Sequence, residues 1–440
     1  MLVGAGLRVL PLVLWFVDQC QRDECTYKRI AAGLLAGRGL ETEAGWLWAP
    51  GYPALIAGSL WLFGQAHPLR YAQVALAVLA IGMIDRLARR VSDERAGTIA
   101  AWAYALHPTL VFFAGTLWSE AVYGPLLLGA VLSLLWAREG GWRRAALPGV
   151  LIAGCVLFRG VAQYMAPIFA LGLLLPAHAE GWRDAARARW RHAAAMLVAV
   201  VLGVAPYSAY ATRTYGGFVL SDATLGQMMW YGNNDFPPIS FDWGSGLLAD
   251  RGFESWTSRG RGHCDLKLPP AAWNACEVAA GRAWIEEHPL EFVRRVPVRV
   301  AQLLSPHTFL TRHVRLGKWP GLPYEIKEGL ALWVVAWSFV VIVPGTVAAA
   351  ARARGPFGVL AVTVVAYHVA AVAVTAGLTR YRIPLEPLWL VWIAGAASRP
   401  RETWAALSGP RGVVAAAFVG LLLPLWAWYL RAGFPGFDGQ

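Results

Sequence analysis

Charge is scarce in this chain of 440 residues: Asp, Glu, Lys and Arg make up only 15%, against 57% apolar residues and a mean hydropathy of +0.45. Soluble domains carry about a quarter charged residues. That deficit excludes an ordinary soluble enzyme and places the chain in a bilayer. The alternating ten-residue pattern of a membrane barrel is missing as well. Instead, apolar runs suited to crossing about 30 Å of hydrocarbon recur along the chain. No Walker sequence occurs, nor a Gly-x-Gly-x-x-Gly between a strand and a helix, so the short loops hold no nucleotide-binding fold. Zinc spacings such as His-Glu-x-x-His are absent, so no structural metal is expected. There is no tandem repeat or low-complexity tract. No small-residue cleavage site follows the first apolar run, which is read as a retained span.

What charge there is has a pattern. The net charge of +12 comes from arginines set mainly in short turns between apolar runs, where they orient a membrane protein, so no nucleic-acid partner is expected. The abundant tryptophans and tyrosines fit interfacial belts. Cysteines number five. Cys20, Cys25, Cys264 and Cys276 fall in loops expected outside the cytoplasm, where disulfides are permitted, and Cys155 falls in a span.

The hydropathy pattern predicts an all-α polytopic bundle of about eleven spans, at 2–17, 68–88, 97–115, 121–137, 145–158, 161–177, 193–211, 329–349, 356–377, 384–398 and 412–430. Putting the arginine clusters on one side leaves 18–67, 116–120, 159–160 and 212–328 on the other. Three regions follow: an N-terminal transmembrane module at 1–211 containing the outer loop 18–67, an extracytoplasmic loop domain at 212–328, and C-terminal helices at 329–440. The middle region carries turn signals at Gly216-Gly217, Asn233-Asn234, Pro237-Pro238 and Pro269-Pro270, with helices expected near 271–287 and 289–303.

Chemistry gathers on that outer side. Asp23 and Glu24 follow the first span, Glu120 opens the fourth, and arginines stand at the outer ends of others. Carboxylates opposite guanidiniums suit a reaction in which a phosphate leaves, the acid accepting a proton and the cations neutralising the departing charge. The blander readings are a solvated acidic pair at Asp23 and Glu24, and a helix-start acid at Glu120. His107, His288 and His368 lack ligand spacing and are expected to be packed.

The order Arg22-Asp23-Glu24-x-x-Tyr27, Ala31-x-x-Leu34-x-x-Gly37-x-Gly39 and Pro50-Gly51-Tyr52-Pro53 resembles the first outer loop of GT-C glycosyltransferases of the family 39 type. That family includes protein O-mannosyltransferases and lipid A aminoarabinose transferases. Leu106-His107-Pro108, Trp118-Ser119-Glu120, Pro206-Tyr207, Tyr231-Gly232-Asn233-Asn234, Trp284-Ile285 and Arg380-Tyr381-Arg382-x-Pro384-x-Glu386-Pro387 extend the resemblance along nearly the whole chain. Leu157-Phe158-Arg159 departs from the family's Leu-x-Arg-Pro, since Gly160 replaces the proline.

The resemblance implies an inverting transfer from a polyprenyl-phosphate sugar donor to a hydroxyl of a lipid, glycan or protein acceptor, at the outer face of a bacterial inner membrane. It implies a general base, Asp23 before Glu24 or Glu120. Arg380, Arg382 and Arg159 are the candidates for the donor phosphate, or else anchor at headgroups or cap the hairpin. Tyr27, Tyr52, Tyr381 and Asn233 are the candidates to line the substrates, with interfacial anchoring and a turn as the structural alternatives. No cofactor is certain; a divalent cation is possible in such enzymes. The rival classes are a lipid-linked oligosaccharide flippase or other transporter, a non-catalytic partner subunit, and a polymerase or ligase.

Overall fold

The computed structural model describes residues 1–14, 20, 23–40, 46–176, 180–235, 263–306, 310–311 and 322–433. Parts of the expected outer regions, at 18–19, 21–22, 41–45, 236–262, 307–309 and 312–321, lie outside the described residues. Among the described residues the chain is helical, with one antiparallel bridge between Leu47 and Ala223.

All eleven expected spans contain helix. In chain order the helices of the first half are α1 (Leu2–Leu14), α2 (Asp23–Leu35), α3 (Gly51–Phe63), α4 (His67–Val91), α5 (Glu94–Leu106), α6 (Pro108–Ala114), α7 (Glu120–Arg138), α8 (Ala146–Phe158), α9 (Met165–Leu174) and α10 (Trp182–Thr214). The second half holds α11 (Leu225–Gly232), α12 (Pro270–Glu287), α13 (Pro289–Leu303), α14 (Tyr324–Arg352), α15 (Gly355–Val374), α16 (Glu386–Ser398), α17 (Pro400–Leu407) and α18 (Pro410–Gly433). Among the described residues six helices are long and apolar enough to cross a membrane, or seven if α5 and α6 count as one bent span.

The shortfall from eleven has a physical cause. Residues 15–17 of the first expected span lie outside the described residues, and in three other spans a 3-10 turn (Trp142–Ala145, Gly160–Tyr164 and Thr379–Leu385) precedes an α-helix of only 13 residues in α8 and α16 and 10 in α9. At 1.5 Å per residue these three helices rise only about 15–20 Å, well short of a bilayer core. The span expected at 97–115 is bent by 60° between α5 and α6. Pro108 pushes His107 to extended backbone and withholds a donor, and the His107 ring caps the next helix by accepting from Leu110 N–H at 3.4 Å.

The stretch expected as the first outer loop is largely helical, forming α2 and α3. Asp23 and Glu24 open α2, where carboxylates offset the positive end of the helix. The helix closes at Gly37, whose φ of 72° lies in the left-handed region, and Arg38 N–H reaches Gly33 C=O at 2.9 Å. Gly39 repeats that conformation, at φ 79°, and leads Leu40 N–H to the Tyr215 hydroxyl at 3.0 Å. Two glycines of the sequence signature thus steer the chain from α2 onto the end of α10.

Helix α7 forms the centre of the bundle, its apolar length mostly buried, whereas that of α18 is mostly exposed. It packs on α4 and α8, α8 on α10, and α16 on α5 and α14. Arginine-rich turns are tied together at one end. There Arg399 pairs with Asp93 at 2.9 Å, and Arg138 donates to the carbonyls of Gly172 and Leu173 at 2.7 and 2.8 Å.

At the opposite end α11, α12 and α13 form a cap. The Cys264–Cys276 disulfide fastens the segment before α12, and Cys264 N–H donates to Glu277 at 2.7 Å. Arg295 stacks over Trp284, and Arg299 donates to Ala373 C=O at 2.7 Å, mounting the cap on the end of α15. Cys20 and Cys25 are bonded to each other beside the start of α2, and Cys155 is free and buried.

Candidate functional site

The site is assembled around the turn between α6 and α7. Glu24 is fully buried; its Oε1 accepts from Leu117 N–H at 2.7 Å and pairs with Arg70 at 3.2 Å. Arg70 also donates to Gly115 C=O at 2.6 Å. From α3, the Tyr52 hydroxyl meets Gln73 at 2.6 Å, and the Gln73 amide donates to Ala114 and Thr116 carbonyls at 3.2 and 2.8 Å. Thus α2, α3 and α4 together hold residues 114–117, the lead into Ser119 and Glu120. A buried pair broken on one side leaves an uncompensated charge, at a cost of about 3–5 kcal/mol. Arg70→Leu should therefore lower the thermal midpoint of the detergent-purified protein markedly; an unchanged midpoint would show that the pair does not hold this turn.

Four charged groups meet beside that turn. Arg380 Nη1 lies 2.6 Å from Asp23 Oδ2, and its Nε lies 3.6 Å from Glu120 Oε1. Arg159 Nη1 lies 2.5 Å from the same Glu120 oxygen and donates to Ser119 Oγ at 3.1 Å. The Tyr27 hydroxyl donates to Ser119 Oγ at 3.2 Å. Arg380 sits over the Trp118 ring at 4.9 Å, and both arginines face Tyr381, Arg159 at 5.2 Å and Arg380 at 5.5 Å. Two carboxylates alternate with two guanidiniums, and aromatic faces wall them. Exposure separates the acids, because the Asp23 side chain is 24% accessible and that of Glu120 only 1%. Of these two acids, Asp23 is the more accessible to an incoming molecule.

Local structure explains the convergence. Asp23 is the first residue of α2, Glu120 the first of α7, and Arg159 the residue that ends α8. Arg380 lies on the 3-10 turn Thr379–Leu385 ahead of α16, which packs on α7.

The structure does not bring every expected residue to this cluster. Arg382 is fully buried, its Nε paired with Glu386 at 2.7 Å and its Nη1 donating to the carbonyls of Leu303 and Ser305 at 3.2 and 2.8 Å. Glu386 in turn meets His107 at 2.9 Å, so Arg382 belongs to a buried lock among the 3-10 turn, α13 and the α5–α6 bend. Asn233 is likewise buried, donating to Met229 and Val374 carbonyls at 2.8 and 2.9 Å and accepting from Arg299 at 2.9 Å. Tyr27 and Tyr52 stack edge to face, at 4.8 Å between centroids, behind Ser119. Tyr381 faces the arginines. His368 packs between Tyr123 and Val364 C=O.

Sequence reasoning passed over Asp222, in the connection from α10 to α11. Its carboxylate accepts from the Thr224 hydroxyl at 2.9 Å and from the Gly160 N–H, beside Arg159. The signal was the departure at Gly160, which leaves an N–H where proline has none.

Among the described residues no group of three or more His, Cys, Asp or Glu converges as metal ligands do. Asp23 and Glu120, the acids of the cluster, share the Arg380 guanidinium, which already supplies the positive charge between them. This donor set does not fit a divalent ion.

No protein-family model matches the chain, and no curated protein matches it. Solved structures do. The oligosaccharyltransferase AglB of Archaeoglobus fulgidus, in complex with an inhibitory peptide and a dolichol-phosphate, superposes on 97% of this chain and 54% of its own, with a TM-score of 0.53 and 15% identity. The same enzyme tethered to an acceptor peptide gives 97%, 53%, 0.52 and 16%. ArnT of Cupriavidus metallidurans bound to undecaprenyl phosphate covers 92% of this chain and 77% of its own at 16% identity, with a TM-score of 0.43. The chain is thus an all-α membrane protein with the GT-C fold. It spans about half the length of AglB.

Proposed function

We propose that this protein is a GT-C glycosyltransferase that moves a sugar from a polyprenyl-phosphate donor to an acceptor hydroxyl, with inversion. The observation that carries the reading is the Asp23–Arg380–Glu120–Arg159 cluster, in which a partly accessible carboxylate, Asp23, stands beside the guanidiniums of Arg380 and Arg159. The dolichol-phosphate held by AglB, which shares the fold, supports a lipid phosphate as donor.

In this reading Arg380 and Arg159 bind the donor phosphate, exchanging part of their carboxylate contacts for phosphate oxygens. That exchange frees Asp23. Its carboxylate takes the proton of the acceptor hydroxyl as that oxygen attacks the anomeric carbon. The bond from that carbon to the phosphate oxygen breaks, and the electron pair leaves on polyprenyl phosphate, neutralised by the arginines. Glu120 holds Arg159 in place, and Tyr27 holds Ser119. Glu24 and Arg382 act as positioning groups, through the turn at 114–117 and the 3-10 turn, and not as base or phosphate ligand.

The two disulfides support placing the cluster's end of the bundle on the oxidising side of the membrane, opposite the arginine-rich turns. That corresponds to the periplasmic face of a bacterial inner membrane, with the region 212–328 selecting a lipid, glycan or protein acceptor. A flippase would need ionisable groups along a central path. Here Arg8, within α1, is tied to the carbonyls of Gly4, Ala105 and Tyr104.

The test is reconstitution. Proteoliposomes given undecaprenyl-phosphate sugars and a membrane extract should release undecaprenyl phosphate and gain a glycosylated product by mass spectrometry. Donor that crosses the bilayer intact would instead mark a transporter.

A further inference from the structure

Asp222 stands where three outer segments meet. Ala223 N–H donates to Leu47 C=O at 2.8 Å, bridging the connection from α10 to the segment before α3. On its other side the carboxylate packs so closely on Gly160 that a Cβ there would collide with it. Glycine at 160 therefore provides both the space and the N–H that this carboxylate uses. A proline there would remove both. The two positions, 62 residues apart in sequence, form one device at the end of α8, next to the arginine that grips Glu120.

We propose that Asp222 is a positioning residue for Arg159, fixing the Arg159-Gly160 turn and, by its charge, setting how strongly Arg159 draws an anionic lipid phosphate. The inference rests on reading the cluster as the phosphate site. With Asp222 ionised, Arg159 answers two carboxylates, Glu120 and Asp222; with it neutral, Arg159 answers Glu120 alone. Among the described residues, the charged and titratable groups that act on Asp222 are Arg159 from the end of α8 and Tyr207 from α10. The bridged segment Trp46-Leu47-Trp48 brings none. Burial pushes the Asp222 carboxyl up to about 6, against the opposing pull of the Thr224 hydroxyl, Arg159 and the Gly160 N–H. Phosphate affinity should therefore be highest below about pH 6 and fall as pH rises through that value.

The test measures binding of undecaprenyl phosphate to the full-length protein in nanodiscs from pH 5 to 8, with thermal unfolding followed in the same samples. Because the lipid phosphate titrates in the same range, the ratio of variant to native affinity is the readout. Asp222→Asn keeps an acceptor oxygen but no charge, so the ratio should be near one at pH 5 and rise about tenfold by pH 7.5. Thr224→Val removes a hydrogen bond that favours the carboxylate, and should move the native midpoint to higher pH. Parallel pH curves for native and Asp222→Asn, with an unmoved midpoint in Thr224→Val, would overturn the inference while leaving the phosphate site standing. A native protein that binds no undecaprenyl phosphate at any pH would overturn the phosphate-site reading, and the inference with it.

Discussion

Asp23→Asn should lower the rate of sugar transfer by about 10²–10⁴-fold, the range that a positioned general base contributes. Asparagine keeps the size and an acceptor oxygen, so α2 and its contacts should survive. What is lost is the ability to take a proton from the attacking hydroxyl. The Arg380 contact at 2.6 Å becomes one to a neutral amide, which leaves the guanidinium freer for phosphate. Donor affinity should stay equal or tighten while kcat falls. That split distinguishes a base from a binding group. Undiminished kcat would move the base to another carboxylate, and Glu120, with its side chain only 1% accessible, would be the next to test.

Arg380→Leu should be at least as damaging, for a different reason. This arginine is the shared cation of Asp23 and Glu120, and its removal leaves two acids facing one another across a partly buried space. It also deletes a donor to the leaving phosphate, an interaction of the kind worth about 10²–10³ in rate. Both kcat and donor affinity should fall together, in contrast to Asp23→Asn. Arg380→Lys restores charge but not the planar fork that reaches two carboxylates, so it should recover only part of the binding. Full activity in Arg380→Leu would remove the phosphate role from this residue.

The helices were legible because hydropathy is local, and each of the eleven expected segments contains one. How far each helix runs was less so. The bend at His107-Pro108 was written in the proline, whereas the 3-10 turns Trp142–Ala145 and Gly160–Tyr164, from which α8 and α9 start, hold no proline to mark them. Asp23, Glu120, Arg159 and Arg380 were named from motifs, and the structure gathers them. Arg380 and Arg382 could not be told apart in sequence. Two residues apart on a 3-10 helix with about three residues per turn, they face different surroundings, one the cluster and the other Glu386 with backbone carbonyls. Glu24 posed the same difficulty beside Asp23, because its partner Arg70 lies 46 residues away. Asp222 gave no signal of its own. Its meaning appears only when the chain brings it against Gly160.

The central claim is a single displacement at the anomeric carbon with Asp23 as base. It is tested most directly by the configuration of the product. Native protein in proteoliposomes is given an undecaprenyl-phosphate sugar of defined anomeric configuration, and the transferred sugar's configuration is read by NMR. The account predicts the inverted anomer and no sugar bound to the protein. A retained anomer, or a glycosyl adduct on Asp23 by mass spectrometry, would contradict it.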